Sequence, residues 1–291
     1  MARLEDRHAS GAPGDWFVDT RCIDCDAARQ VAPGLIARNP GDGVSVFTRQ
    51  PETPAEIEMA WRAVMVCPTR SVGHVTHRKP PAPVFPEDLG DGVFRLGHNA
   101  RSSFGAHSYL VQRRTGNVMV DAPRWTREVA GPLAERGGLA HILLSHRDDV
   151  ADAERYADHF GARVWIHSDD RDAAPYATDL IEGTEPSTVG DDVTAFPVPG
   201  HTRGTVLYLV DGHLLFSGDS LSWNPNREQL HAFRRACWFS WPEQTASLSR
   251  FADHECGFDR LFCGHGWNHD APAAAMAAHL VDLIARMPEM S

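Results

Sequence analysis

Two segments of the chain set single, chemically useful side chains on glycine turns: Phe196-Pro197-Val198-Pro199-Gly200-His201-Thr202-Arg203-Gly204 and Phe216-Ser217-Gly218-Asp219-Ser220-Leu221. Each turn is entered from an apolar run, which reads as the end of a strand. A side chain at such an end points into a cleft, where a metal ligand or a catalytic group is of use. Two further stretches have the same form, Ile142-Leu143-Leu144-Ser145-His146-Arg147-Asp148-Asp149 and Leu261-Phe262-Cys263-Gly264-His265-Gly266. The imidazoles of His146, His201 and His265 and the carboxylates of Asp148, Asp149 and Asp219 together offer metal ligation and acid–base chemistry. A second set of soft donors, the thiols of Cys22, Cys25 and Cys67, lies near the N-terminus.

These turns need strands to end on. Residues 108–111 and 117–120 read as strands, followed by a helix at 125–136, a strand at 141–144, a helix near 149–160 and a strand at 163–167. Paired strands come at 205–210 and 213–217, and helices near 242–254 and 272–286 flank a strand at 259–263. Mixed strands with helices outside them predict a layered α/β architecture. Ahead of them, residues 78–92 hold four prolines and two glycines. Proline fixes its backbone angle and lacks an N–H donor, so the stretch reads as an extended linker. The expected division is a unit at 1–80, a linker at 81–92 and a unit at 93–291. In the first unit, Trp16-Phe17-Val18-Asp19 and Ser45-Val46-Phe47 read as short strands. Residues 54–66 carry Ile57, Ala60, Trp61 and Met65 at helical spacing behind an initial proline.

A chain of 291 residues has ample length for a core, and its net charge of −11 argues against general nucleic-acid binding, which needs basic surface. No run is long and apolar enough to span a bilayer, and no apolar stretch follows the charged N-terminal residues, so neither a membrane segment nor a secretory signal is expected. The remaining cysteines, 237, 256 and 263, complete no extracellular disulfide framework and read as buried thiols; a cytoplasmic protein is expected.

In order, turns and spacing, the four segments resemble the metal-binding motifs of the metallo-β-lactamase superfamily, over roughly the last two-thirds of the chain. The resemblance implies the superfamily's four-layer αββα sandwich, with a metal cleft at one edge of its two sheets. The first superfamily motif reads H-x-H-x-D-H; here the stretch is His146-Arg147-Asp148-Asp149-Val150-Ala151-Asp152-Ala153. Read without gaps, Asp148, Val150 and Ala151 take the later positions; two extra residues bring Asp152 and Ala153 there instead. Only His146 matches a histidine. The resemblance therefore implies His146, His201 and Asp219 as ligands, with Asp148 as a fourth donor and His265 as the remnant of a second position. One Zn or Fe ion is expected rather than two. Two imidazoles and a carboxylate suit non-haem Fe(II), as in the superfamily's persulfide dioxygenases, and the same donors satisfy one Zn²⁺ with room for water. Asp148 and Asp149 are the candidate general bases. Among the other histidines, His107 and His269 are expected beside the cleft.

Cys22-Ile23-Asp24-Cys25 followed by Cys67-Pro68 resembles a single-cluster bacterial ferredoxin, in which four thiolates hold a 4Fe–4S cluster. A small α+β ferredoxin-like domain is implied. The third cysteine position is Ala28, so the resemblance implies either an incomplete iron–sulfur cluster on Cys22, Cys25 and Cys67 or a unit that has lost its cluster.

The function expected is a metal-dependent hydrolase acting on a small molecule, a thioester, lactone or phosphoester. The alternatives are a mononuclear iron oxygenase, an iron–sulfur-linked redox protein with its own redox partner, or a metal-binding scaffold without catalysis. Trp223, Trp238 and Trp241, interleaved with Arg227, Arg234 and Arg235, read either as an anion-holding wall of the cleft or as packing with solvated charges.

Overall fold

A computed structural model describes residues 1–76 and 79–290. Residue 78, where the proline-rich stretch begins, lies outside the described residues. Two sheets face each other. The first orders its strands Asp179–Ile181, Arg163–His167, His141–Leu143, Val118–Val120, Tyr109–Val111, Val93–Arg95 and Glu87–Asp88; the first three pairings are parallel and the rest antiparallel. The second orders Ser187–Thr188, Val193–Pro197, Val206–Val210, Leu214–Phe216, Arg260–Phe262 and His269–Asp270, antiparallel except where Leu214–Phe216 lies beside Arg260–Phe262.

Strand alternation sorts the side chains into layers. Val118 and Val120 point between the sheets, where they meet Val206, Tyr208, Val210 and Phe216, while Met119 points outward. The outer face of the first sheet is covered by the helices Arg127–Glu135 and Ala153–Phe160 through Val129, Leu133 and Tyr156. Leu207, Leu215 and Leu261 face the other way, onto Trp241–Asp253 and Ala273–Arg286. The result is a four-layer αββα sandwich. Tyr109 bridges its centre: its ring lies 5.6 Å from that of Phe216 and 5.5 Å from that of Phe262, and its hydroxyl donates to the Cys263 carbonyl at 2.8 Å.

The N-terminal unit has its own core of Trp16, Val31, Leu35, Phe47, Trp61 and Val72. Trp16–Val18 pairs with Val72–His74, and Ile36–Arg38 with Ser45–Phe47. The helix Pro54–Val66 starts on a capping box in which Thr53 and Glu56 satisfy each other's backbone N–H groups, a device that contributes about 1 kcal/mol. The shorter helix Ala27–Val31 was not evident from the sequence. Residues 81–92 do not run free between the units: Phe85 is buried in the N-terminal core, and Glu87–Asp88 pairs with Val93–Arg95 as the edge of the first sheet. An apolar ring and an edge strand give this proline-rich stretch partners on both sides.

Candidate metal centre

The strand His141–Leu143 runs out through Leu144 and Ser145 to His146, where a 3₁₀ turn, Arg147–Asp149, begins. Val193–Pro197 leads to His201, Leu214–Phe216 to Asp219, and Arg260–Phe262 to His265. The four strands belong to both sheets, and their ends meet at one edge of the sandwich.

The side chains gather there in two groups. Donor atoms of His146, His201 and Asp219 lie within 4.8 Å of one another, as do those of Asp149, Asp219 and His265. Asp219 belongs to both. Its Oδ2 is 3.8 Å from His146 Nε2, 3.7 Å from His201 Nε2 and 3.8 Å from His265 Nε2. Asp148 Oδ2 approaches His201 Nε2 at 3.6 Å and His146 Nε2 at 3.9 Å. Donors that share an ion through bonds of about 2 Å stand apart by distances of this order. Close backbone approach makes the grouping feasible. A Cβ on Gly264 would lie 2.7 Å from Asp219 Oδ1 and 3.0 Å from Asp149 Oδ2, and one on Gly218 would lie 2.5 Å from Ser145 Oγ.

Several of these atoms are buried without a hydrogen-bond partner: His146 Nε2, His201 Nε2, Asp219 Oδ1 and both carboxylate oxygens of Asp149. Buried polar atoms are ordinarily satisfied, and a buried carboxylate needs a cation or donors. Burial, then the charges of Asp219, Asp121 and Asp148, pushes the Asp149 carboxyl well above its ordinary range. Burial opposes ionisation of Asp219 too, but His265, His146 and His201 outweigh it and hold that carboxyl low. Burial pushes His146 down to about 4, so its imidazole is neutral at pH 7. Its tautomer is set by its neighbours. Ser145 Oγ donates to Asp121 Oδ2 at 2.9 Å and stands 2.9 Å from His146 Nδ1. With the hydroxyl hydrogen committed to Asp121, Nδ1 carries the imidazole proton and Nε2 turns a lone pair to the cleft. Unpartnered imidazole nitrogens facing unpartnered carboxyl groups are a donor set that fits a divalent metal ion.

Since Val150, Ala151 and Ala153 offer no donor, the motif leaves His265 and Asp219 for a second position, with Asp152 as a third only if an insertion carries it back to the cleft. The structure adds Asp149, read as a base, to that group. Asp152 is elsewhere: its Oδ2 accepts the Trp125 N–H at 2.6 Å. His107 is buried against the cleft backbone, its N–H donating to the Gly264 carbonyl at 2.8 Å. His269 instead stacks flat on Trp223 at 3.5 Å. Cys263 is buried as expected of a strand end, whereas Cys237 and Cys256 are only half-buried. Of the tryptophans, Trp241 is core and Trp238 is 66% exposed, 6.2 Å from the His201 ring. A cavity of about 470 Å³ opens beside Asp148 between Arg147, Thr202, Arg203, Trp238 and Phe239. Arg203, which the sequence did not single out, lies over the Phe239 ring at 4.6 Å.

The three N-terminal thiols share the apolar core of their unit. Burial, followed by the proximity of Cys67 and Cys22, pushes Cys25 up to about 12, and the Ser71 N–H donates to Cys67 Sγ at 3.1 Å. Ala28, at the sequence position of the third ferredoxin cysteine, is buried in the same core and offers only a methyl group. Neither neighbouring carboxylate replaces it: Asp24 is paired with Arg29 and Arg38, and Asp26 with Arg29 and Gln30. The unit therefore offers three thiols and no fourth.

The layers, the strand order and the cleft at the sheet ends are those of the metallo-β-lactamase fold. The chain carries that fold behind a small ferredoxin-like unit. Residues 18–74 match the family model of the 4Fe-4S single cluster domain of Ferredoxin I. Over 156 residues the chain is 37% identical to a hydroxyacylglutathione hydrolase of Xanthomonas campestris pv. campestris, covering 50% of this chain and 55% of that protein. It is 37% identical over 109 residues to a hydroxyacylglutathione hydrolase of Cereibacter sphaeroides, covering 36% and 42%. The chain thus matches only about half the length of these curated relatives. Among solved structures, the metallo-beta-lactamase FIM-1 from Pseudomonas aeruginosa in its mono-zinc form superposes with a TM-score of 0.53 at 14% identity, over 68% of this chain and 93% of that one. The metallo-beta-lactamase DIM-1 gives 0.52 at 17% identity, over 68% and 95%. Among the described residues no helix is long and apolar enough to cross a membrane.

Proposed function

We propose that the protein is a metal-dependent hydrolase of thioesters, built on residues 93–291 with the unit at 1–80 packed beside its cleft. The observation that carries the metal reading is the sharing of Asp219 between two groups of buried, unpartnered donors. His146, His201 and Asp219, with Asp148 at the open side, would hold one ion; Asp149, Asp219 and His265 would hold a second. This reading takes two ions where the first motif led to the expectation of one, because Asp149 can supply the donor that Val150 and Ala151 lack. A metal in this setting acidifies a water and polarises the carbonyl of an ester.

The chain's own groups supply the rest. Asp148 is the more exposed of the two neighbouring carboxylates, with 43% of its side chain accessible, and the adjacent His201 imidazole lowers its carboxyl. It is ionised at neutral pH and faces the cavity, so it can accept a proton from a nucleophile arriving there. Trp238 and Phe239 offer apolar walls to an acyl chain, and Arg203 offers a cation to the departing thiolate or its carboxylates. The choice of thioesters over lactones and phosphoesters is supported by the hydroxyacylglutathione hydrolases among the relatives.

The test is hydrolysis of an acylglutathione by zinc-reconstituted protein, followed by thiol release, beside a lactone and a phosphate monoester. Chelator-sensitive turnover of the thioester well above the other two is expected. Equal activity on the phosphoester, or turnover that survives removal of zinc, would overturn the proposal.

A further inference from the structure

Helix Ala27–Val31, the element that follows Cys25, reaches across to the cleft through one side chain. Gln30 is 8% exposed, and its Nε2 donates to Asp26 Oδ2 at 3.1 Å. That bond fixes which way the amide faces, because an ionised carboxylate only accepts. Gln30 Oε1 therefore points to His107 Nε2, 2.6 Å away, and accepts its proton. On the other side of the ring, Asn99 Nδ2 donates to His107 Nδ1 at 3.2 Å and also to the Gly105 carbonyl at 2.7 Å. Every polar atom of the buried imidazole is thus assigned, and the ring is neutral with its proton on Nε2.

His107 passes this order on through its backbone. Its N–H holds the Gly264 carbonyl at 2.8 Å, while the Gly264 N–H is held by the Gly218 carbonyl at 2.8 Å. Gly264 is pinned on both sides, directly before His265 and against the carboxylates of Asp149 and Asp219. We propose that Gln30 is a positioning residue for the cleft: through His107 it sets where Gly264, and with it His265, stands. The ferredoxin-like unit is then part of the support of the second donor group. This rests on the reading of His265 as a metal ligand, and outer partners of that kind typically govern affinity by about ten-fold or more.

Full-length protein carrying Gln30→Met, which keeps the side-chain length and removes the acceptor, tests this in two ways. Amide hydrogen exchange at His107, measured without metal, is expected to speed up about ten-fold, since the bond to Gly264 is no longer braced. Zinc titration is expected to show the second equivalent bound about ten-fold more weakly, with the first unchanged. Gln30→Glu combined with Asp26→Asn, which reverses the donor between these two side chains and restores an acceptor to His107, should return both readings toward those of the parent. Parental exchange at His107 together with parental zinc binding in Gln30→Met would overturn the proposal. If Gln30→Met does not fold, Gln30→Ala, which removes the acceptor without adding bulk, should move both readings in the same direction, and no movement overturns the proposal equally. A parent protein that binds a single zinc refutes the two-metal reading alone; the exchange rate at His107 still decides the role of Gln30.

Discussion

Asp121 holds Ser145 by two hydrogen bonds, from the amide at 2.8 Å and from the hydroxyl at 2.9 Å. The carboxylate is buried and touches no donor of the cleft directly, yet it commits the serine hydroxyl and so leaves His146 Nδ1 to carry the ring proton. Asp121→Asn can present an N–H to the serine instead, which releases the hydroxyl to donate to Nδ1 and moves the imidazole proton to Nε2, the wrong side for a ligand. A loss of about 10–100-fold in zinc affinity is expected, with unchanged circular dichroism. Parental affinity in a competition assay against a chelating dye would show that the tautomer is set by something else.

The two donor groups separate by substitution. Asp149→Asn should remove one equivalent of zinc after dialysis and leave the other. His201→Ala should remove the ion held by His146, His201 and Asp219, and Asp219→Asn should remove both. Counting zinc per chain by mass spectrometry checks all three, and full retention in Asp149→Asn sinks the second position.

Ala28→Cys supplies the fourth thiolate that the N-terminal cradle lacks. Anaerobic reconstitution should then raise iron and acid-labile sulfide above the level of the parent protein, read chemically and by visible absorbance. No gain would mean that Cys22, Cys25 and Cys67 do not form a cluster cradle.

His98 predicts a pH dependence of stability. Burial, then the charge of Arg124, lowers it from 6.5 to about 4. Between those values the unfolded chain binds a proton that the folded one does not. Its contribution is therefore fully present above about pH 6.5 and is lost as pH falls toward 4, by at most about 3 kcal/mol. His98 sits at a φ of 52°, a conformation that asparagine tolerates. Urea unfolding of His98→Asn should show a shallower decline than the parent between pH 6.5 and 4; parallel curves would count against the assignment.

Much of this was legible in the sequence because the long elements keep a clear period. The helices Pro54–Val66 and Ala273–Arg286 and the apolar strand Val206–Val210 were read nearly to their ends. Strands of two or three residues, such as Ile36–Arg38, Val72–His74 and Glu87–Asp88, carry too little local signal and exist because a distant partner pairs with them. His146, His201, Asp219 and His265 were visible because each follows an apolar run at a turn. Asp149 was visible only as a base. Counting along the motif places it between the expected ligand positions, but the 3₁₀ turn Arg147–Asp149 brings every third residue back to one face, so Asp149 returns to the side of His146. Residue spacing is a guide to a site only when the backbone between its members is known.

Between Phe85, sunk in the N-terminal core, and Glu87, hydrogen-bonded in the edge strand of the large sheet, stands a single residue, Pro86. The Glu87 carboxylate faces Arg62 of the N-terminal helix at 3.3 Å and Arg95 of the sheet at 2.9 Å. A swivelling joint needs slack chain and unshared contacts, and this crossing has neither. The two halves should tumble as one particle in solution and melt in one calorimetric transition, with neither half serving as a module that swings out to meet a partner.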